Sequence, residues 1–396
     1  MSRNDVAVVG GGPAAWATAA ACAAVGLCTV LVTPQAEPSW PNTYSVWLDE
    51  LEAVGLGETA AVSWPEVTVV GHRHHVLQRP YARIDNSRLA AHIAQRANTS
   101  GLTIIVGEAA GVTHGRHQST LVLRSGRMVD SAVVVDGTGA TTALLAQRRF
   151  SKARQIAYGF TAQLDGRPSD AGCVHMDGRQ PSASNDGEPP SFLFAQELAD
   201  GRWFLEETVL ATRDPVTHAA LSERLACRLR DHDLHATDIT DEEFVSIPMG
   251  IAAPKVQRTV GVGAAGGAVH PATGYSLAAS LANAAPLAQA IRSALDRRST
   301  PEAVSAAAWA ALWPQSQRRS RRLHQYGLTV LEQLAADEFR TFLDTFFELP
   351  AAHWQRYVRS DVTALELSTT MRLMFAAAPA SLRRQLMTGN PLALRA

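Results

Sequence analysis

Residues 5–33 hold the pattern that most constrains how this chain folds. An apolar run at 6–9 leads into three glycines and an alanine-rich stretch, and a second apolar run occupies 29–32. Short apolar runs are typical of buried parallel strands, and alanine is the best helix former. The segment therefore predicts a strand, a glycine turn, a helix that ends at Gly26, and a second strand.

A unit of this kind, about 30 residues long, binds the pyrophosphate of a dinucleotide. Its glycines let backbone N–H groups approach the phosphates, and the helix N-terminus adds partial positive charge. A tight turn in a fold that has lost its ligand is the alternative, and the unit alone does not distinguish FAD from NAD. The predicted contacts are Gly10, Gly12, Pro13, Ala14 and Ala15.

Two positions depart from the usual dinucleotide fingerprint. Ala15 replaces the third glycine, a change that is tolerated where the helix packs on the strand. Thr33 stands where an acidic residue normally binds the ribose, and the nearest carboxylate, Glu37, comes four residues later. The sequence therefore keeps the expected pyrophosphate contacts and lacks the usual ribose contact.

Two later turns favour FAD over NAD. An apolar strand runs into Asp-Gly-Thr-Gly at 133–140, which predicts cofactor contacts from Asp136, Gly137 and Gly139. Residues 256–291 predict a strand, a glycine-rich turn and a long helix, whose N-terminus is expected to face the carbonyl end of the flavin ring. The predicted contacts in this part are Gly263, Pro271, Gly274 and Tyr275.

Two arginines are further candidates for the cofactor phosphates. Residues 79–97 predict a strand end followed by a helix with Asn86 or Ser87 as its N-cap. In two-dinucleotide-domain flavoproteins an arginine near such a helix start often reaches the phosphates. Arg83 and Arg88 occupy this position, and a surface role for either is equally compatible with the sequence.

The rest of the chain predicts a division into three parts. Asp200-Gly201 between two apolar runs predicts a hairpin, and a helix is expected near 215–232. Strands are also predicted at 102–106 and 120–136. The predicted parts are a discontinuous FAD-binding domain at 1–155 and 246–300, an antiparallel substrate domain at 156–245, and a C-terminal helical region at 301–396.

Composition limits the partners. The net charge of −1 over 396 residues argues against nucleic acid. No uncharged apolar span is long enough to predict a transmembrane segment, and the first strand begins after four residues, which leaves no room for a signal peptide. We therefore expect a cytosolic protein. The four cysteines show no metal spacing and are expected to be reduced.

Three further features leave alternatives open. The loop at 40–47 either lines a ligand site or packs as a surface loop. His72, His74 and His75 lie on a predicted strand at 66–78, where neighbouring side chains face opposite ways, so a solvated strand is favoured over a metal site. Aromatic residues beyond residue 301 favour core packing; a lid or a surface that rests on a membrane is the minority interpretation.

Taken together, motifs along nearly the whole chain resemble the flavin-dependent lycopene cyclase family. They include VAVVGGGPA near the start, RPYARIDN at 79–86, FLEET at 204–208 and HPATGY at 270–275. The combination of FLEET with HPATGY is specific. The resemblance implies the FAD fold of the glutathione reductase and aromatic hydroxylase type, in which a Rossmann-like α/β domain carries an inserted antiparallel substrate domain, here followed by C-terminal helices.

The resemblance also implies a reaction. Family members use reduced FAD without net redox change, and NAD(P)H is the expected reductant. They protonate a terminal alkene of an apolar isoprenoid, let a second alkene attack the cation, and remove a proton. The segments 247–255 and 165–190 depart from the usual family sequence. The expected substrate is therefore lycopene or another linear isoprenoid or meroterpenoid.

The essential carboxylate of the family falls on Glu206 or Glu207. Because neighbouring side chains of a strand face opposite sides, only one of them can face the flavin. We expect Glu206 to be the acid, its pKa raised by apolar neighbours, and Glu207 to point outward or to support it. Two carboxylates on a solvated strand face are the alternative.

A carbocation intermediate requires electron-rich neighbours and exclusion of water. Reduced flavin and aromatic rings are expected to provide them through charge and cation–π contacts. The aromatic candidates are Trp40, Tyr44, Trp47, Trp203 and Phe204.

Two other functions remain compatible with the sequence. A flavin monooxygenase or reductase on the same fold would consume NAD(P)H with every product molecule, whereas a cyclase needs reductant only catalytically. A non-catalytic carrier of an apolar ligand would keep the fold without the chemistry. The product mass separates the first two, since cyclisation leaves it unchanged and oxygenation adds an oxygen.

Overall fold

The computed structural model describes residues 4–389 except 142, 147–151, 183 and 186. The N-terminal third contains β1 (Asn4–Val9), α1 (Pro13–Ala24), β2 (Thr29–Thr33), β3 (Ser45–Trp47), α2 (Leu48–Glu52), β4 (Ala60–Trp64), β5 (Val67–Val70), β6 (His74–Leu77), β7 (Tyr81–Ile84), α3 (Asn86–Thr99), β8 (Thr103–Val106), β9 (Ala109–His114), β10 (Ser119–Leu123) and β11 (Met128–Asp136). The middle contains β12 (Arg154–Leu164), β13 (Cys173–Asp177), β14 (Ser191–Glu197), β15 (Trp203–Thr212), α4 (His218–Asp231), β16 (Ala236–Pro248) and β17 (Thr259–Gly261). The C-terminal part contains α5 (Leu277–Asp296), α6 (Pro301–Leu312), α7 (Gln315–Leu331), α8 (Ala336–Phe347), α9 (Ala351–Tyr357), α10 (Ala364–Ala377) and α11 (Ala380–Thr388).

The first sheet forms the Rossmann-like layer. Its strands follow the order β8-β2-β1-β11-β10-β9, and β17 also pairs with β11. The pairs among β8, β2, β1, β11 and β17 are parallel, whereas β10 pairs antiparallel with β11 and with β9. Helix α1 packs between α3 and α5 on this layer. The predicted order of strand, glycine turn, helix and strand is confirmed, and Gly26 follows the helix with φ +78°.

Two local predictions in this layer were wrong. The single strand predicted at 120–136 is a hairpin of β10 and β11, because the chain turns at Gly126 with φ +83°. The N-cap of α3 is Asp85, whose side chain accepts hydrogen bonds from the backbone N–H groups of Ser87 and Arg88. Aspartate satisfies free N–H groups at a helix start as well as asparagine or serine does.

The second sheet has the order β16-β12-β15-β14-β13-β5-β6. Its pairs are antiparallel except that of β13 with β5. The predicted hairpin at Asp200-Gly201 is confirmed, since it joins β14 to β15. The predicted division at residue 155 needs a correction, because β5 and β6 precede it in the chain but belong to this sheet. The place of β5 and β6 in this sheet depends on the pairing of β5 with β13, a strand that is distant in the sequence.

Helices α7 and α8 cover one face of the second sheet, whereas α6 packs on the first. The predicted core packing of the aromatic residues beyond residue 301 is confirmed for Trp309, Phe339, Phe346 and Trp354, which are all buried. The histidines predicted on a solvated strand lie in and after the turn between β5 and β6, and His75 is hydrogen-bonded to Asp344 of α8 at 2.7 Å. Within the described residues, no helix combines the length and the apolar character needed to cross a membrane.

Helix α4 covers the other face of the second sheet, and a buried ion pair joins the two. Arg228 of α4 donates from Nε to Glu207 Oε2 at 2.7 Å and from Nη2 to Oε1 at 2.8 Å. Both side chains are almost completely excluded from solvent. A bidentate pair of this kind compensates two buried charges, so the removal of one partner leaves the other unpaired in the core.

We predict that Arg228→Met lowers the free energy of unfolding by about 3–5 kcal/mol, because it leaves the Glu207 carboxylate buried without a cation. The double variant Glu207→Leu, Arg228→Met removes both charges and should be more stable than Arg228→Met alone. Urea unfolding followed by circular dichroism measures both. If the double variant is less stable than Arg228→Met, the assumption of an uncompensated charge is wrong.

Candidate active site

Two glycine turns of the Rossmann-like layer meet backbone to backbone. Gly10 has φ +134°, and a Cβ atom there would lie 2.3 Å from the carbonyl oxygen of Gly137. A Cβ atom on Gly137 would lie 2.7 Å from Cβ of Ala15. The Gly137 N–H donates to Val9 O at 2.7 Å. Only glycine fits at these two positions, so the turns after β1 and β11 lie side by side.

The N-terminus of α1 opens beside this contact. Gly12 is its N-cap and provides no side-chain hydrogen bond, and a Cβ atom at Gly12 would meet nothing within 4 Å. Pro13 is the first helical residue. Gly263, in the turn after β17, has φ +59°, and its Cβ atom would lie 2.8 Å from Cβ of Ala14. Three turns thus converge on free helix N–H groups, the arrangement that binds a pyrophosphate.

Thr33 and Asp136 lie next to these turns. The Thr33 hydroxyl is buried and has no hydrogen-bond partner among the described residues, although it ends the strand where a ribose is usually bound. Asp136 instead holds its own turn, because its carboxylate accepts from the Thr138 N–H at 2.9 Å, the Thr138 hydroxyl at 2.6 Å and the Leu144 N–H at 2.8 Å. Gly139 follows with φ +72°. The orphaned hydroxyl and the glycine cradle fit an FAD molecule.

The loop before α5 closes on the other end of this region. Its backbone folds back through bonds from the His270 N–H to Tyr275 O at 2.8 Å and from the Gly274 N–H to His270 O at 2.9 Å. Gly274 has φ +77°, and a Cβ atom there would lie 1.9 Å from Oε1 of Gln155. The N-cap of α5, Ser276, makes no side-chain capping bond, and residues 276–279 at the start of this helix line the adjoining cavity.

A cavity of about 550 Å³ lies between the second sheet, the start of α5 and the C-terminal helices. Its walls are mainly aromatic and aliphatic. A second apolar cavity, of about 270 Å³, lies between α7, α8, α10 and α11. Both cavities are lined by Leu331, Phe342, Phe346 and Tyr357.

A row of residues crosses the second sheet on the face toward the larger cavity. Glu206 of β15 pairs in register with Gly159 of β12 on one side and with Phe194 of β14 on the other. Gly159 pairs in turn with Glu243 of β16. A Cβ atom on Gly159 would lie 3.1 Å from Cβ of Glu206, so the missing side chain leaves room for Glu206. This row places two carboxyl groups on one cavity wall.

Burial controls the charge of these carboxyls. Burial is the largest effect on the pKa of Glu206 and raises it to about 7. The charge of Glu243 also raises this pKa. The hydrogen bond from the Thr208 hydroxyl, at 2.5 Å, and the charge of Arg83 lower it. Burial also raises the pKa of Glu243, which accepts a bond from the Thr43 N–H at 3.0 Å. A carboxyl with a pKa near 7 can hold a proton at neutral pH and give it away.

The adjacent carboxyl has the opposite environment. Glu207 faces α4 and is held by Arg228, as described above. It therefore lies on the far side of the sheet from the cavity, buried rather than directed outward into solvent. The period of two along β15 thus separates a carboxyl that faces the cavity from one that stays paired inside the protein.

Arg83 and Arg88 differ in their surroundings. The guanidinium of Arg83 stacks over Phe204, with Cζ 4.7 Å from the ring centroid, and Nη2 donates to the Thr43 hydroxyl at 3.4 Å. Arg88 pairs with Asp85 on the surface. The contact of Arg83 with the cofactor phosphates stays a prediction; β7 directs this side chain toward Phe204 and the carboxyl row of the second sheet.

Two of the predicted substrate contacts also need correction. Trp40 lies in the core of the Rossmann-like layer and donates from Nε1 to Gly11 O at 2.8 Å. Trp203 faces α4, because it precedes Phe204 on a strand whose side chains alternate. The predicted residues that do line the cavity are Tyr44, Trp47, Phe204, Glu206, Gly274 and Tyr275.

Sequence reasoning missed Glu243, His175, Phe192 and Phe194, which line the same cavity. Alternation within β14 could have selected the two phenylalanines as one face. No local signal marks Glu243 or His175, because their neighbours in the row come from other strands. Strand register alone brings them to the site.

Comparisons with known proteins agree with this geometry. The family model described as lycopene cyclase protein matches residues 5–384. The chain belongs to the lycopene cyclase family. It is 32% identical to lycopene beta cyclase of Arabidopsis thaliana, with 98% of this chain and 81% of the relative covered. It is 33% identical to lycopene beta cyclase of Synechococcus elongatus, with 97% and 95% covered. The chain is therefore an enzyme of the lycopene cyclase class.

Solved structures show the same fold at low sequence identity. A geranylgeranyl bacteriochlorophyll reductase-like protein from Thermoplasma acidophilum superposes with a TM-score of 0.72 at 15% identity, covering 97% of this chain and all of that one. The anhydrotetracycline hydroxylase OxyS from Streptomyces rimosus gives 0.60 at 16%, covering 88% and 74%. The predicted fold class, an FAD-binding fold of the aromatic hydroxylase type, is confirmed.

We predict that Gly12→Val abolishes FAD binding without unfolding the protein. The new side chain meets only open space in the protein, so stability should fall by no more than about 1 kcal/mol, the usual scale of N-cap changes. It would occupy the approach to the helix N–H groups. Flavin fluorescence titration and thermal unfolding measure the two effects. Gly10→Val is the contrast, since its clash with Gly137 should destabilise the fold itself. Unchanged FAD affinity in folded Gly12→Val would place the pyrophosphate elsewhere.

Proposed function

We propose that this enzyme is an FAD-dependent cyclase that closes a ring at one end of lycopene or of a related linear isoprenoid, without net redox change. The observation that carries the proposal is the environment of Glu206. Glu206 is the carboxyl of the FLEET motif that faces an apolar cavity, and burial raises its pKa to about 7. The relatives named lycopene beta cyclase support the substrate class.

The cofactor site of the proposal is built from residues already described. Gly12 faces open space at the start of α1, Gly10 and Gly263 let the neighbouring turns approach this point, and the start of α5 lies beside the cavity. When bound in its reduced form, with NAD(P)H as the source of electrons, FAD would supply negative charge and electron density near a cation. The protein contributes binding, orientation and exclusion of water.

Glu206 would act as the general acid. The Thr208 hydroxyl bonds to Oε1, which fixes the carboxyl plane and leaves Oε2 to carry the proton. Protonation of the terminal alkene forms a tertiary cation, and the second alkene attacks it to close the ring. Because Gly159 carries no side chain that would displace Glu206, the carboxyl keeps its place on the cavity wall, where an isoprenoid end can approach it.

Aromatic side chains would stabilise the cation and keep water away. Their π faces attract positive charge, and their bulk excludes the water that would trap the cation. Trp47 is in edge contact with Tyr81, with ring centroids 4.9 Å apart, and both line the cavity. Further aromatic lining comes from Phe192, Phe194, Phe204, Phe342, Phe346 and Phe347.

A contact with membrane lipid is part of the proposal. Leu365 and Phe375 of α10 and Met387 of α11 expose large apolar side chains, Phe375 and Arg372 line the smaller cavity, and the guanidinium of Arg383 lies over the Phe375 ring. Such a face suits an anionic lipid surface from which an apolar substrate enters. Leu365→Asp with Met387→Asp should reduce co-sedimentation with anionic vesicles. An unchanged bound fraction would reject this contact.

We predict that Glu206→Gln lowers turnover by about 10²–10⁴-fold, the usual contribution of a general acid, because the amide keeps the shape but cannot give the proton. FAD binding should be unchanged, since the residue lies on the second sheet. The assay supplies reduced FAD and a linear isoprenoid in D₂O and follows an isobaric product, corrected for deuterium. The mass also tests the monooxygenase alternative, which predicts an added oxygen.

The control for this variant is Glu207→Gln. Its carboxyl contacts Arg228 on the other face, so the change should lower stability more than turnover per folded molecule. Thermal unfolding and the same turnover assay compare the two variants. A fully active Glu206→Gln variant, with Glu207→Gln inactive though folded, would reverse the assignment of the two carboxyls.

A pH dependence follows from the raised pKa of Glu206. The acid must be protonated, so kcat should be constant well below pH 7 and fall about tenfold per pH unit well above it. Thr208→Val removes a hydrogen bond that lowers this pKa and should move the inflection upward. The residual activity of Glu206→Gln should lack the inflection. A wild-type profile that rises from pH 6 to pH 9 would contradict the general-acid role.

A further inference from the structure

His175 is a titratable side chain of the cavity that the protonation step does not use. It lies on β13, whose pairing with β14 contains a bulge: Val174 pairs with Ala195, but Asp177 pairs with Leu193. Between these two pairs β13 advances by three residues and β14 by two, so β13 has one extra residue. A bulge of this kind re-aims side chains, and both His175 and Met176 line the cavity as a result.

The bulge places His175 at the end of the carboxyl row. Phe194, which pairs with Glu206, lies opposite the bulged residues of β13. Glu206 and His175 therefore stand on the same face two strands apart, with Cα atoms roughly 10 Å from each other at the usual strand spacing. Phe194 lies between them in the row, and all three side chains line the cavity.

The surroundings of the imidazole favour its neutral form. The ring packs against Trp47 and Tyr81, each with a centroid distance of 5.0 Å, and against Phe194 at 6.4 Å. Burial, together with the Arg79 charge, lowers the pKa of His175 to about 3. The side chain is therefore an uncharged nitrogen base at every pH at which the enzyme would work.

One ring nitrogen has no competing partner. Nε2 lies 3.4 Å from the Tyr275 hydroxyl, which in turn lies 3.0 Å from the Tyr81 hydroxyl. Nδ1 is buried and has no hydrogen-bond partner among the described residues. If Nε2–H donates to Tyr275 and Tyr275 donates to Tyr81, the tautomer leaves the Nδ1 lone pair free. A buried nitrogen without a partner is costly unless it has another role.

We propose that His175 is the base that removes a proton from the cyclised cation, an inference that rests on the function proposed above. The free nitrogen takes the proton, the electron pair of the broken C–H bond becomes the ring double bond, and the imidazole becomes an imidazolium hydrogen-bonded to Tyr275. Glu206 gives one proton and His175 takes one, so the product is an isomer of the substrate. Both groups regain their starting states by proton exchange with water between turnovers.

A weak base is sufficient for this step. A C–H bond next to a carbocation is a far stronger acid than imidazolium, so a neutral nitrogen in an apolar wall can accept its proton. Glu243 is the competing candidate, because it occupies the other end of the row. It lies beyond Gly159, on the side of Glu206 away from Phe194, and burial raises its pKa. The position of the ring double bond in the product shows which proton is lost and so distinguishes His175 from Glu243.

The test compares His175→Phe, His175→Ala and Glu243→Gln, with His74→Phe at the exposed start of β6 as the matched control. Each variant is incubated with a linear isoprenoid and reduced FAD in D₂O, and products are identified by mass and NMR. We expect His175→Phe to lower turnover by about 10²–10⁴-fold. Its remaining product should shift to isomers with the double bond elsewhere, or to a water adduct. Each product should still carry the deuterium delivered by Glu206.

Chemical rescue separates a base from a structural residue. Free imidazole should restore cyclisation in His175→Ala, whose cavity it can fill, and should not restore it in Glu206→Gln. His74→Phe should match the wild type in rate and product. FAD binding and thermal unfolding establish that the variants are folded.

The outcomes that overturn the assignment differ from those that overturn the function. Wild-type product at the wild-type rate from His175→Phe rejects His175 as the base and leaves the cyclase intact. If Glu243→Gln is the only variant whose product has a misplaced double bond, the base is Glu243 and the proposal is rejected. If none of the His175 variants folds and binds FAD, the residue is structural and the proposal fails. A wild-type enzyme that yields no deuterated isomer rejects the proposed function itself.

Discussion

Burial of one carboxyl group without a cation is the condition on which the candidate site depends. Glu206 keeps a pKa near 7 because apolar walls remove water from it. The nearby arginine, Arg83, stacks over Phe204 instead of closing an ion pair with it. The C-terminal helices matter for the same reason, since Leu343, Phe346 and Phe347 cover the cavity that would otherwise be wet. A solvated Glu206 would be ionised at neutral pH and would have no proton to give.

The features that could be predicted from the sequence are local ones. The glycine turn, the helix that follows it and the Asp200-Gly201 hairpin depend on residues within a few positions of each other, and the structure has them as expected. The opposite facing of Glu206 and Glu207 follows from the period of a strand. The same rule would have excluded Trp203 from the cavity, because it directly precedes Phe204 on the strand and therefore faces the same side as Glu207.

The features that could not be predicted depend on contacts between distant segments. Trp40 packs on the first glycine turn, and Arg83 reaches Phe204 across more than a hundred residues of chain. His175 enters the cavity through a bulge whose existence is defined by its partner strand. The placement of β5 and β6 in the second sheet is of the same kind, since their own pattern fits an edge hairpin in either sheet.

The fold itself does not choose the reaction. Proteins that superpose on this chain are named reductase-like and hydroxylase, and one fold can host several chemistries. In this chain, strand order determines which side chains of the second sheet meet the cavity. The face toward the cavity presents two carboxyl groups, a glycine between them and an imidazole.

The ion pair of Glu207 with Arg228 has a consequence for how the second sheet assembles. A slip of β15 by one residue along its neighbours would turn every side chain of the strand to the opposite face. Glu206 would then enter the layer beneath α4, displaced along the strand from the guanidinium, and Glu207 would leave Arg228 as an unpaired charge in the core. Misaligned pairings of this strand are therefore much less stable than the native one. An interaction far from the reacting atoms thus helps the folding chain select the single alignment that has an acid in the cavity.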